Sequence, residues 1–258
     1  MSAITDQVLP LIRETRAMLL PHWGNAGVEV RKSQSPADVV TKLDMEVERF
    51  LADRLKKIDP GAEFVGEEFG GSRDAERLWL CDPIDGTAHF VRGLPFCTTM
   101  LAHIENGAVT FSVIYDFLND ILYHAERGQG AFRNNERITV STRPQTDAYL
   151  SWDTHTDRNG NMEIFLKLRE KAVLFKSVAS GYEFAMVASG KLEGRVCFDP
   201  WGHDWDFAPG ALLISEAGGV VANLGKRTYD YRNTDLIAAN KEMFKTLTEG
   251  PGAIFPIA

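Results

Sequence analysis

Asp82 and Asp85 flank a proline in the run Trp79-Leu80-Cys81-Asp82-Pro83-Ile84-Asp85-Gly86-Thr87. Leu78, Trp79 and Leu80 read as the end of a buried strand. Proline lacks an N–H and pre-sets a turn, so the two acids are expected on a stiff loop at that strand end. Several oxygens displayed from one such loop can converge on a hard cation. Gly86 lets the backbone approach a ligand, and Thr87 adds a hydroxyl at a predicted helix start. Together these residue types suit a site where a divalent metal ion meets a phosphate.

Three further acidic patches stand at predicted element ends: Asp44, Glu67-Glu68 and Asp206. Each also has a plain structural reading. Asp44 can cap a helix, Glu67-Glu68 can be a solvated pair, and Asp206 can be a helix-terminal carboxylate favoured by the macrodipole.

The elements that must position these acids follow from periodicity. Ile4, Val8, Leu11, Ile12 and Leu19 mark an amphipathic N-terminal helix. Leu43, Val47, Phe50, Leu51 and Leu55 mark a second, closed by Asp59-Pro60-Gly61. Phe64-Val65 reads as a short strand ending at Gly66-Glu67-Glu68, and Thr98 to Thr139 as a meander of strands. Beyond Arg143-Pro144 helices and strands alternate, including a helix from Asp206 to Ala217 with Pro209 in its first turn. This order suggests an α+β protein of layered sandwiches, divided into residues 1–142 and 143–258 but forming one compact unit.

The chain has 258 residues and a formal charge of −8, with no basic run. That balance argues against a nucleic-acid surface. An acidic protein that handles phosphates needs cations between itself and its substrate, which fits a carboxylate metal site. No window approaches the roughly 18 apolar residues of a membrane span. The N-terminus lacks the pattern of a signal peptide, so a cytoplasmic protein without a membrane partner is expected. Cys81, Cys97 and Cys197 lack zinc-type spacing and read as reduced, buried thiols.

The motifs Ser35-Pro36-Ala37-Asp38-Val39-Val40-Thr41 leading to Asp44, Gly66-Glu67-Glu68, Asp82 to Phe90, Gly128-Gln129-Gly130-Ala131-Phe132, and Trp205-Asp206 with Glu216-Ala217-Gly218-Gly219 occur in this order. In them the chain resembles the inositol monophosphatase family, within the magnesium-dependent, lithium-sensitive phosphatases that include fructose-1,6-bisphosphatases. The resemblance implies an αβαβα sandwich of the sugar-phosphatase type, with an antiparallel sheet in the first half and a mixed sheet in the second. It implies two to three Mg²⁺ ions held by Glu67, Asp82, the Ile84 carbonyl, Asp85 and Asp206. Thr87, polarised by Asp44, would orient the attacking water, and Glu67 would take its proton. Asp85, Gly86, Thr87, Ser180, Gly181 and Asp199 would contact the substrate. That substrate would be a small polyol or sugar phosphate, inositol monophosphate first, and the protein a homodimer. Histidinol-phosphatase and 3′-phosphoadenosine 5′-phosphate phosphatase activities are the enzymatic alternatives, and a partner-binding role on the same fold the non-enzymatic one.

The rim departs from the family's pattern. His89 stands where an Asn is usual. Ala179-Ser180-Gly181 replaces a Gly-Thr-Ala wall and is followed by bulky Tyr182 and Glu183. Asp199 is one methylene shorter than the usual Glu, while Trp201, His203 and Asp204 carry no assigned role. Lys32 is offset by one residue from a phosphate-side lysine. These changes touch substrate choice and leave the metal ligands intact.

Overall fold

Two helices open the chain in the computed structural model, which describes residues 3–35, 39–158 and 160–257. They are α1 (Ala3–Leu19) and α2 (Lys42–Ile58), with a two-stranded ribbon of β1 (Val30–Arg31) and β2 (Val39–Val40) between them. Pro36, Ala37 and Asp38 of the Ser35–Thr41 motif lie outside the described residues.

A seven-stranded sheet follows, in spatial order β3 (Glu63–Gly66), β4 (Arg77–Asp85), β5 (Thr98–Glu105), β6 (Ala108–Asp116), β7 (Ile121–Glu126), β8 (Gly130–Arg133) and β9 (Glu136–Ile138). Every neighbouring pair is antiparallel except β3–β4. The short helix α3 (Thr87–Val91) leaves the end of β4.

The second sheet has the order β11 (Val173–Lys176), β10 (Tyr149–Asp153), β12 (Gly194–Cys197), β14 (Leu236–Ala239) and β13 (Val220–Asn223). It is mixed: β10 runs parallel to β11 and β12, and β14 antiparallel to β12 and β13. The remaining helices are α4 (Asn161–Arg169), α5 (Ser180–Ala188), α6 (Asp204–Glu216) and α7 (Lys241–Thr248).

The pleat of β4 decides the layering. Trp79 and Cys81 face α1 and α2, packing with Val8, Ile12, Val47 and Leu51. Leu78 and Leu80 face the opposite way, toward Phe184 and Val187 of α5 and Phe207 and Leu213 of α6. The far side of the second sheet, with Leu150, Val196 and Ile237, is covered by Leu168 of α4 and Met243 and Leu247 of α7. The layers are therefore α1α2, seven strands, α5α6, five strands, α4α7: the αβαβα sandwich.

Several local expectations are corrected. Asp82 to Asp85 lies within strand β4 rather than in a loop beyond it. Pro209 sits in the second turn of α6, because the helix begins at Asp204. Helix α7 and the β1–β2 ribbon were not anticipated. None of the helices among the described residues is long and apolar enough to cross a membrane.

Candidate metal centre

Strand β4 carries Asp82 and Asp85 past a bulge. Asp82 pairs with Met100 and Asp85 with Thr98, so three steps on β4 match two on β5. One extra residue bends the strand and re-aims its side chains. Pro83 belongs there because a bulge relaxes the demand for a ladder N–H. Its carbonyl accepts the Thr99 hydroxyl at 2.9 Å.

Asp85 is held from across the sandwich. Its Oδ1 accepts Ser180 N–H at 3.1 Å, and its Oδ2 accepts Gly181 N–H at 2.8 Å and the Thr98 hydroxyl at 3.1 Å. The first two donors are the free amides at the N-terminus of α5, which favour a negative charge. Asp206, from the first turn of α6, accepts His203 N–H on Oδ2 at 2.6 Å. One carboxylate oxygen from each of Asp82, Asp85 and Asp206 lies within 4.8 Å of the other two. Asp82 Oδ1 is buried and has no hydrogen-bond partner.

Glu67 reaches the same place through the backbone. Its N–H donates to the Cys81 carbonyl at 3.1 Å, which sets it beside Asp82. The Lys32 ammonium bridges Glu67 Oε1 at 2.8 Å and Glu68 Oε1 at 3.0 Å. Burial works against the charge on Lys32, but the two carboxylates outweigh it and raise its proton affinity.

Thr87 Oγ1 lies 2.9 Å from Asp44 Oδ1 and 2.8 Å from the Ile84 carbonyl. The other oxygen of Asp44 accepts the Thr41 N–H at 2.7 Å and the Thr41 hydroxyl at 2.6 Å. Asp44 and Asp206 thus share one design. Each is the third residue of its helix, spends one oxygen on the helix cap, and leaves the other for a second task. The structural reading of these acids therefore does not exclude the functional one.

Unpaired carboxylates in a dry site repel one another and hold protons. Burial, then Glu67, Asp206 and Asp85, raises the pKa of Asp82 well above the usual carboxylate range. Burial and then Asp85 do the same to Asp206. Burial pushes Asp44, Glu68 and Asp85 up to about 6. A cation is the direct remedy, and an all-oxygen donor set with an unpartnered buried carboxylate oxygen fits a hard divalent ion.

The rim residues fall in several places. Ser180 and Gly181 lie at the acids and give their amides to Asp85. Glu183 is wholly buried, away from any rim, and pairs with the equally buried Arg195. It also accepts Val178 N–H at 2.8 Å, fixing the approach to α5. Tyr182 donates its hydroxyl to Asp116 at 2.8 Å. Asp204 is pinned by Arg73. Asp199 sits at φ +44°, and its carboxylate accepts Asn161 Nδ2 at 2.9 Å. No hydrogen bond among the described residues joins it to the acids. His89 is half-buried against Gly86, edge-on to Phe96. Sequence reasoning missed Glu48 and Arg195 and set Glu183 at the rim. Only Glu48 left a signal, four residues after Asp44 on one helix face.

The inositol monophosphatase family profile matches residues 2–250. The chain belongs to the inositol monophosphatase family. Members are phosphoric monoester hydrolases, and this chain is an enzyme of that class. It is 33% identical over 238 residues to a Thermotoga maritima fructose-1,6-bisphosphatase/inositol-1-monophosphatase, covering 91% of this chain and 90% of the relative. It is 30% identical over 250 residues to Bos taurus inositol monophosphatase 1, covering 88% of each. The solved structure of a Thermotoga maritima IMPase superposes with a TM-score of 0.84 at 29% identity, covering 95% of this chain and 94% of that one.

Proposed function

We propose that this enzyme is a Mg²⁺-dependent phosphomonoesterase that releases inorganic phosphate from a small polyol or sugar phosphate, inositol monophosphate first among them. The observation that carries this reading is the convergence of Asp82, Asp85 and Asp206 on one point, with Asp82 Oδ1 buried and unpartnered. The names of the Thermotoga and bovine relatives support the substrate class.

Glu67, Asp82, the Ile84 carbonyl, Asp85 and Asp206 would hold two to three Mg²⁺ ions. When bound, the ions supply the positive charge that makes water nucleophilic near neutral pH and steadies the leaving oxygen. Thr87, its hydroxyl donating a hydrogen bond to Asp44, orients the attacking water, and Glu67 takes a proton from that water. The N–H groups of Gly86 and Thr87 hold phosphate oxygens, and Lys32, beside Glu67, balances phosphate charge. Alcohol and inorganic phosphate leave without a phospho-enzyme.

A homodimer is part of the proposal. Tyr149 and Val173 are paired neighbours on β10 and the edge strand β11, and they are 50% and 54% exposed. With Phe175 they form an apolar sheet edge that a second copy would cover. The three cysteines are unpaired and buried, in keeping with a reducing compartment such as the cytoplasm.

A second reading, a nucleotide phosphate as substrate, is favoured by Trp201. It is 64% exposed, lies against His155 with ring centroids 3.5 Å apart and planes tilted by 39°, and precedes Gly202. A Cβ on Gly202 would stand 3.2 Å from Asp206 Oδ2, so this indole sits on the loop beside the acids. An exposed indole face can stack a base.

The test is phosphate release from inositol 1-phosphate, histidinol phosphate, fructose 1,6-bisphosphate and 3′-phosphoadenosine 5′-phosphate, with and without Mg²⁺ and Li⁺. Mg²⁺-dependent, Li⁺-inhibited release with the highest kcat/KM on inositol 1-phosphate supports the first reading. Preference for the adenosine bisphosphate, lost in Trp201→Ala, supports the second. No release from any substrate favours the partner-binding alternative.

A further inference from the structure

Glu48 is fully buried on α2, one turn beyond Asp44. Its Oε2 accepts Glu68 N–H at 2.8 Å, and its Oε1 accepts Phe69 N–H at 2.9 Å. None of the ion pairs found among the described residues involves Glu48. Lys32, the cation at this turn, is spent on Glu67 and Glu68. A buried carboxylate held by two backbone amides is costly unless the geometry repays it.

That geometry surrounds Glu67. On one side Glu67 N–H is tied to Cys81, the residue before Asp82. On the other, the next two amides are tied to Glu48. Gly66 and Gly70 close the turn by exchanging backbone hydrogen bonds at 3.0 and 3.1 Å. Gly66 also explains its own identity: a Cβ there would overlap the carboxylate carbon and both oxygens of Glu48. Its φ is not in the left-handed region, so only space forbids a side chain. The Gly that opens Gly66-Glu67-Glu68 is the socket for the Glu48 carboxylate.

We infer that Glu48 is a positioning residue for the metal centre: its carboxylate, seated on Gly66, clamps the Glu68 and Phe69 amides and thereby aims Glu67 at the cation shared with Asp82. Helix α2 then serves the site twice from one face, with Asp44 on Thr87 and Glu48 on the Glu67 turn. The inference rests on reading Glu67 as a metal ligand. Glu48 itself touches neither metal nor substrate.

The experiment is Mg²⁺ binding to the EDTA-stripped full chain by titration calorimetry, with melting temperature in EDTA as the control for fold. Wild type is compared with Glu48→Gln, Gly66→Ala, Glu48→Ala/Gly66→Ala and Glu67→Gln. Gln keeps the size of Glu48 but turns an N–H toward one of the two amides. Gly66→Ala keeps every charge and displaces only the clamp, so it separates positioning from simple loss of negative charge. We expect Glu48→Gln and Gly66→Ala each to weaken Mg²⁺ binding about 10- to 100-fold, as loss of an orienting partner does. The melting temperature in EDTA should change much less. The double variant, in which the methyl meets no carboxylate, should bind no more weakly than Gly66→Ala alone. If Glu67→Gln weakens Mg²⁺ binding while Glu48→Gln and Gly66→Ala stay within about twofold of wild type, the clamp is overturned and the metal site stands. If wild type binds no Mg²⁺, or Glu67→Gln leaves binding unchanged, both the metal reading of Glu67 and this inference are overturned.

Discussion

Thr87 Oγ1 stands 2.9 Å from Asp44 Oδ1, joining two residues 43 positions apart in the chain. The same hydroxyl is 2.8 Å from the Ile84 carbonyl, yet it has one proton to give. A cation at that carbonyl would turn the proton to Asp44, and the hydroxyl's lone pairs would accept a hydrogen bond from water. Thr87→Ala should therefore lower kcat by about 100- to 10,000-fold with little change in KM. Thr87→Ser should keep most activity. Steady-state phosphate release decides it, and full activity in Thr87→Ala would remove the dyad from the mechanism.

Gly181 joins the two halves of the centre. A Cβ there would lie 3.0 Å from Ile114 Cγ2 and 3.2 Å from Asp85 Oδ2, and would overlap the Thr98 hydroxyl. Gly181→Ala should push α5 away from Asp85, costing about 1–3 kcal/mol of stability and weakening Mg²⁺ affinity as well. Denaturant unfolding and metal titration on one preparation measure both effects. A loss of stability alone would mean that α5 does not set the position of Asp85.

The acids and their order were legible because Asp-Pro-Ile-Asp-Gly-Thr leaves few plain explanations. Their geometry was less so. Pro83 suggested a loop, whereas the missing N–H is equally at home in a bulge, and only the register with β5 distinguishes the two. Asp44 offered a capping reading and Asp206 a macrodipole one, each as a rival to function, but a carboxylate has two oxygens, and the one spent on the cap leaves the other available. Glu48 was hidden among Glu46 and Arg49, where helix charges usually face water. The Glu183–Arg195 pair spans a helix and a strand, and no local spacing announces it. Helix α7 could have been found from Asn240, which caps it at 2.8 Å, and from Met243, Phe244 and Leu247 behind it.

The carboxylates set the pH response of the metal-free protein. Asp44 and Asp85 have pKa values pushed up from 3.8 to about 6, and burial and acidic neighbours raise Asp82 and Asp206 well above the usual carboxylate range. Between 3.8 and these values the folded state binds more protons than the unfolded one. Their contribution to stability is thus fully present below about 3.8 and is lost as pH rises through 6 and beyond. In EDTA the melting temperature should fall between about pH 4 and about pH 7, and added Mg²⁺ should raise it most at the higher pH. A melting temperature in EDTA that rises across this range would contradict the burial of unpaired acids.

The edge of the second sheet predicts an assembly. Val173 is exposed on β11 beside Tyr149, so Val173→Asp should leave the fold unchanged and convert the proposed dimer to monomer. Sedimentation velocity reads this directly. A wild-type monomer would overturn the proposed dimer, and a Val173→Asp dimer of unchanged affinity would place its contact elsewhere.

The most direct test of the account is the Mg²⁺ dependence of phosphate release from inositol 1-phosphate, in wild type and in Asp82→Asn. The acid cage predicts no release after EDTA treatment, full recovery with added Mg²⁺ in wild type, and no recovery in an Asp82→Asn protein that is folded. Release that survives EDTA, or an Asp82→Asn variant that Mg²⁺ restores to wild-type rate, would contradict it.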